Sequence, residues 1–187
     1  MPLHVSPSNS KLGSIPSVSF PTKLCSVQCS YCYARTLEKR WPSTRKCWEE
    51  NAAYFDTHSK QEVALNIALQ LKGVKYFRWL VSGEFYDQHV FETAVFLAEL
   101  LPQVTFMAYT KMLWTGAILR PSNFKLLYSL SKVYEDYSYP SDPPLGFDGV
   151  SVIHKTRTTC SHQISGTRCQ DCLSCYRGES VILRLHK

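Results

Sequence analysis

Seven of the eight cysteines stand in two tight groups, Cys25, Cys29 and Cys32 near the start of the chain and Cys160, Cys169, Cys172 and Cys175 near its end, with Cys47 alone between them. A disulfide framework spreads half-cystines along a chain to close loops, whereas gaps of two or three residues put thiols side by side on one loop. The grouping therefore points to metal. The opening run MPLHVSPSNSK offers neither the charged start nor the apolar run of a secretory signal, and no stretch approaches the length of a membrane span. The expectation is a cytoplasmic protein without membrane contact, whose thiols are kept reduced.

At 187 residues the chain has the length of one domain with one sizeable core. Strand and helix patterns alternate along it. Residues 14–20 read as a short strand framed by Pro16 and Pro21, with the first cysteine loop following within a few residues. Residues 34–41 read as a helix that stops at Pro42, and Ser43 can cap a second segment. Residues 61–72 carry Val63, Leu65, Ile67, Ala68 and Leu71 at roughly helical spacing, and Gly73 ends them. YFRWLV at 76–81 reads as a buried strand, Ser82-Gly83-Glu84 as a turn, and residues 87–101 as an apolar-striped helix closed by Pro102. Further strands are expected at 105–109, 125–129, 149–153 and 181–185, the first two separated by a helix-sized stretch around 113–119. Six strands with intervening helices spell an α/β fold. Residues 1–153 read as the core and 154–187 as a cysteine-rich segment that includes the last strand, the two forming one compact unit. Residues 132–148, rich in Tyr, Pro and Asp, make the one long loop, a length typical of a lid or a mobile segment.

The run Cys25-Ser-Val-Gln-Cys29-Ser-Tyr-Cys32 has the spacing C-x3-C-x2-C between a strand and a helix. Three thiolates on a cubane of four irons leave one iron open, and an open iron can chelate the amine and carboxylate of an amino-acid-like ligand. A structural zinc asks for a fourth ligand, which here falls to Cys47 or a distant histidine. The spacing, the preceding strand and aromatic Tyr31 just before the last cysteine resemble the signature loop of the radical S-adenosylmethionine (SAM) superfamily. That resemblance implies that Cys25, Cys29 and Cys32 hold a [4Fe-4S] cluster whose open iron binds SAM. An electron from the cluster then cleaves the sulfonium bond, and the 5′-deoxyadenosyl radical abstracts hydrogen from a substrate. It further implies a one-electron donor such as a flavodoxin or ferredoxin, an adenine contact at Tyr31, and a short partial (β/α)6-type barrel.

In that superfamily a Gly-Gly-Glu-Pro turn after the second strand holds the SAM amino group. Ser82-Gly83-Glu84-Phe85 matches it in part, the first Gly and the Pro being replaced. Gly83 would let backbone carbonyls approach the ligand and Glu84 would put a negative group near an ammonium, although Ser-Gly-Glu alone is also an ordinary strand-to-helix turn. A polar residue at the end of the fourth strand meets the SAM ribose in the superfamily, which implies Ser129 or Ser131. More narrowly, Asn9-Ser-Lys-Leu-Gly13, the run Ile15 to Phe20, Cys32-Tyr-Ala34, the Ser-Gly turn and the cysteine-rich end resemble a small phage-associated family known as gene product eighty-eight. That likeness spans nearly the whole chain, brings no assigned activity, and implies a phage or mobile-element origin.

The second group, Cys160-x8-Cys169-x2-Cys172-x2-Cys175, supplies four thiolates, three of them in the tight spacing with which ferredoxin-like runs wrap a cubane. Four ligands suit a closed second [4Fe-4S] cluster that relays electrons or shapes a substrate pocket, and they equally suit a tetrahedral structural zinc. Charge is a lesser guide. Twenty-one Lys and Arg against fifteen Asp and Glu leave a net +6, which favours an anionic or nucleic-acid partner. Arg35, Lys39, Arg40, Arg45 and Lys46 interleave with Trp41 and Trp48, either as a nucleic-acid footprint or as a solvated helix face. Lys155, Arg157, Arg168 and Arg177 flank the second cysteine group, where they bind an anion or offset thiolate charge. The sequence therefore reads as a minimal radical SAM enzyme, with a metal-stapled nucleic-acid-binding protein as the alternative.

Overall fold

Six parallel strands hydrogen-bond in the order in which the chain makes them: β1 (Ser17–Val18), β2 (Tyr76–Trp79), β3 (Thr105–Thr110), β4 (Phe124–Tyr134), β5 (Gly149–His154) and β6 (Val181–Arg184). The computed structural model describes residues 3–185, and among these β1 and β6 share no ladder. Three helices, α1 (Tyr33–Arg40), α2 (Pro42–Thr57) and α3 (Lys60–Gln70), connect β1 to β2, and α4 (Gln88–Leu100) connects β2 to β3. No helix among the described residues is long and apolar enough to cross a membrane.

Side-chain alternation along the strands divides the sheet into two unlike faces. Phe77, Trp79, Phe106, Ala108, Phe124 and Leu126 point to one face and pack with Phe55, Val63, Ile67, Phe91 and Leu97 of the helices into the main core. The intervening residues are of another kind: Arg78, Met107, Tyr109, Leu127 and Ser129 point the opposite way. Part of that inner face is covered by the connection from β5 to β6, which holds α5 (Ser161–Ser165) and α6 (Cys169–Cys172), and by the chain's N-terminal turn. The turn and the connection are tied together. Asn9 Oδ1 accepts from the N–H groups of Lys11 and Leu12, and Cys169 N donates to Lys11 O at 2.9 Å. Gln170 N donates to Leu12 O, while its side-chain oxygen accepts from Ser14 N at 2.6 Å. Gly13 holds φ +73°, a left-handed conformation that strains other residues, and a Cβ there would displace that same Gln170 oxygen.

Local chemistry accounts for most boundaries and for the places where the sequence reading differs. Ser59 and Glu62 form a reciprocal capping box at the start of α3, and Asp87 caps α4 by accepting from Val90 N at 2.8 Å. Pro42 starts α2 as well as ending α1, since the first helical position needs no N–H, and Ser43 makes no cap. The expected 14–20 strand is reduced to Ser17–Val18. Pro16 lacks a donor for a longer ladder, and Ser6 pairs with Ser17 on the outer edge. The stretch around 113–119 forms only the 3-10 turn Leu113–Ala117, consistent with Gly116 inside it and Thr115 bonding back to Met112 O. β4 continues five residues past Ser129 through a register shift between Ser129 and Val133, an irregularity that breaks the period-2 signal. The long loop accordingly starts at 135, and its Tyr139 packs with Tyr134 against Leu130, Val150 and Val152, where no helix covers β4 and β5.

These helix-poor connections are held by one polar clamp. Asp148 Oδ2 accepts from Leu126 N at 2.8 Å and from Arg120 Nη2 at 2.6 Å, and Arg120 also donates to Phe124 O and Gly146 O. Burial would raise the Asp148 carboxyl, but the Leu126 N–H and the Arg120 guanidinium more than offset it and hold the carboxyl below its ordinary value. A depressed folded-state pKa stabilises the fold above the unfolded value, about 3.9, and this contribution disappears as pH falls through the folded value. The expected outcome is that Asp148→Asn lowers stability most near neutrality and flattens the acid limb below about pH 4, so that variant and unmodified protein converge at the lowest pH in urea titrations at stepped pH.

Candidate metal and ligand site

The cysteine loop follows the C-terminal end of β1, the Ser82-Gly83-Glu84 turn follows the end of β2, and Lys111 follows the end of β3. All of them open on one cavity of about 800 Å³ on the inner face of the sheet. Parallel sheets gather ligand-binding residues at their carboxyl edge, because loops leaving several strands converge there. Cys25, Cys29 and Cys32 line this cavity together with Tyr31, Ser82, Gly83, Glu84 and Ser129. Ser131 does not line it: it lies exposed beyond Ser129, within the shifted stretch of β4.

Several contacts fix this geometry. Tyr31 Oη donates to Leu130 O at 3.2 Å, which spans from the cysteine loop to β4. Gly83 has φ +85° and sits against Phe20 so closely that a Cβ would lie 2.7 Å from Phe20 O, while Phe20 N donates to Ser82 O. Glu84 is 5% exposed and its carboxylate is already engaged. It accepts from Thr110 Oγ1, from Phe85 N at 3.0 Å and from Lys111 N at 2.9 Å, so it ties the turn after β2 to the end of β3. Burial raises its pKa in spite of those donors. Burial, followed by the neighbouring Glu84, Cys32 and Cys29, pushes the Cys25 thiol up to about 12. A cation bound to the three sulfurs would reverse that balance.

Sequence reading missed other residues of the cavity wall. Ser151 stands beside Ser129 across the β4–β5 ladder, and Lys111 Nζ donates to Ser129 Oγ at 3.2 Å. Ser82 Oγ and Ser151 Oγ are buried without a hydrogen-bond partner among the described residues, and both line the cavity. Such atoms are rare in proteins unless a ligand or water completes them. Arg78 projects from the middle of β2, donating to Trp79 O at 2.7 Å and to Leu80 O, with its guanidinium 4.2 Å above the Tyr109 ring. An arginine inside the apolar run YFRWLV, at the alternate position to Phe77 and Trp79, was the available signal. Cys47, from α2, also lines the cavity.

The second cysteine group lies below Arg78 and Tyr109. Tyr109 Oη is 2.8 Å from Cys175 Sγ, and Cys160, Cys169 and Cys175 pack with Met107, Leu127 and Tyr176. Cys172 stands apart, its Sγ directed to Ser161 Oγ and Ser174 Oγ. Among the described residues no three His, Cys, Asp or Glu side chains converge tightly enough to hold a single metal ion.

The fold and site define an α/β protein with an open sequential parallel sheet and two cysteine groups on its inner face. A family profile described as Gene product 88 matches residues 7–173, and the chain belongs to that family. Membership fits the phage association expected from the sequence. Comparison with curated proteins and with solved structures finds no match.

The thiols should differ in reactivity when the protein is prepared free of iron and zinc. Hydrogen bonding from Ser161, then from Ser174, holds the Cys172 thiol below its ordinary value, whereas burial raises Cys25. Only the thiolate reacts, so Cys172 should alkylate well before Cys25 at pH 8, as followed by mass spectrometry of iodoacetamide-treated samples. Equal rates would show that both thiols sit in the same electrostatic environment.

Proposed function

We propose that the chain is a minimal radical SAM enzyme whose six strands form a partial barrel, with a [4Fe-4S] cluster on Cys25, Cys29 and Cys32. The observation that carries this reading is the convergence, on one cavity at the carboxyl edge of the sheet, of a three-thiol loop, the Gly83 turn and two buried hydroxyls that lack partners. The donor set fits. Three soft thiolates on one loop, with a cavity in front of them, match a cubane that keeps one iron for a ligand. With such a cluster bound, one electron from an external donor of flavodoxin or ferredoxin type would break the sulfonium carbon–sulfur bond of SAM, giving methionine and a 5′-deoxyadenosyl radical that takes a hydrogen atom from the substrate.

The protein's own part is binding and orientation. Gly83 lets the turn close onto Phe20, Glu84 fixes that turn to β3, and Ser82 and Ser151 offer hydroxyls to a polar ligand. Lys111 holds Ser129 toward the same space. In this reading Cys160, Cys169, Cys172 and Cys175 hold a second [4Fe-4S] cluster, for which Tyr109 is a hydrogen-bonding neighbour of one ligand. A second reading, zinc staples in a non-enzymatic binding protein, is favoured by the position of Cys47, a candidate fourth ligand on the wall of the first site.

Anaerobically purified and reduced protein should convert SAM to methionine and 5′-deoxyadenosine, slowly even without substrate, and Cys29→Ala should abolish it. Iron should total about eight per chain with two cubanes and about four if the second group holds zinc. Ser82→Ala should weaken SAM binding while iron content is retained. Colourless protein containing zinc, or a full cluster whose EPR signal ignores SAM, would sink the enzyme reading.

A further inference from the structure

The corner between α1 and α2 carries a concentration of charge that the site described above does not use. Between residues 33 and 48 there are five cations, Arg35, Lys39, Arg40, Arg45 and Lys46, and a single carboxylate, Glu38. Glu38 is turned away from them, accepting from the backbone and hydroxyl of Thr22. Arg35, Lys39, Arg40 and Arg45 enter no ion pair with any carboxylate among the described residues, and Lys46 reaches only Glu50, at 3.9 Å.

The cations deeper in the cavity are accounted for differently. Lys11 and Arg78 stand near Cys169 and Cys175, and Lys111 near Cys25, so these three would offset the charge of thiolates holding a metal. Four of the five cations of the corner have no counter-charge in ion-pair reach among the described residues. The corner is also continuous with the cavity, because Arg35, Leu37, Thr44 and Trp48 line its wall. On the outer side Trp41 is 51% exposed, with the Arg40 guanidinium 5.4 Å from its ring centre. Cations without ion pairs on the two helices that meet at an exposed aromatic ring, beside a cavity, match the two needs of an unpaired strand: phosphates to neutralise and bases to stack.

We propose that the substrate offered to this cavity is a single-stranded nucleic acid, with its backbone held by Lys39, Arg40 and Arg45, one base stacked on Trp41, and an adjoining nucleotide directed into the cavity past Arg35 and Trp48. The catalytic meaning of this docking rests on the radical SAM reading, but the docking itself does not. A duplex keeps its bases stacked on one another, so Trp41 discriminates against it. Three phosphate contacts on a single strand correspond to a slope of about −2 in log affinity against log salt.

The test is fluorescence anisotropy of the full chain with labelled mixed-sequence 20-nucleotide RNA and DNA single strands, the matching duplex, and heparin as competitor, over a salt series. Single strands should bind more tightly than duplex, and Trp41→Ala should weaken single-strand binding about tenfold. Exchanging Lys39, Arg40 and Arg45 for Glu should remove about two units of the salt slope, with circular dichroism verifying the fold of these surface variants. Absence of binding at about 0.15 M salt overturns the proposal. So does equal binding of single strand, duplex and heparin with no effect of Trp41→Ala, which would be generic attraction to polyanions. SAM cleavage by the unmodified chain without substrate is measured alongside: cleavage without oligonucleotide binding removes the docking proposal alone, and binding without cleavage removes the radical SAM reading alone.

Discussion

Everything on the inner face depends on the junction between the N-terminal turn and the cysteine-rich connection. Lys11 O and Leu12 O accept from Cys169 N and Gln170 N, and the Gln170 side chain returns to Ser14 N. Without that junction Leu12, Ile15, Tyr176 and Val181 would lose their common cluster, and Met107 and Leu127 would face an open sheet. The cavity exists because this cover stops partway along the sheet. At the carboxyl end the strands and the loops that follow them present Ser82, Lys111, Ser129 and Ser151 to it beside Leu80, Val81 and Ile153.

Arg78 and Tyr109 form the layer between the two cysteine groups. The arginine spends its donors on Trp79 O, Leu80 O and Met107 Sδ, and its positive face lies on the Tyr109 ring. Leu80, held at φ +63°, is a left-handed position uncommon for a branched apolar residue, and it stands two residues before the turn at 82–84. Arg78 thus fixes an unusual bend in the backbone at the place where the turn must approach the cysteine loop. Tyr109 meets Cys175 from the same layer, so one ring joins the second cysteine group to the arginine.

The α/β class, six strands and the extents of α3 and α4 to within two residues were legible in apolar periodicity, because those elements bury one face against a single core. The 3-10 turn at Leu113–Ala117 and the shifted end of β4 were not, since both depend on local bonds and register that leave no period in the sequence. At the site, Cys25, Cys29, Cys32, Ser82, Gly83 and Ser129 were legible because motif spacing and strand ends position them. Arg78, Lys111 and Ser151 were not, because they reach the cavity only through the alternation and pairing of strands far apart in the chain. Glu84 was found for its charge, yet its carboxylate serves as a tie between β2 and β3. The split of the second group, with Cys172 turned to two serines, is invisible in C-x2-C-x2-C spacing.

The strands pair in chain order, so each can add to the growing sheet as soon as it leaves the ribosome. The bond between Ser14 and Gln170 is different: it joins positions 156 residues apart. The first cysteine loop therefore waits beside an uncovered inner face until nearly the whole chain has been synthesised. The two thiol groups are separated in time by the order of translation, the first thiols being exposed to the cell long before the second set has a surface to fold against.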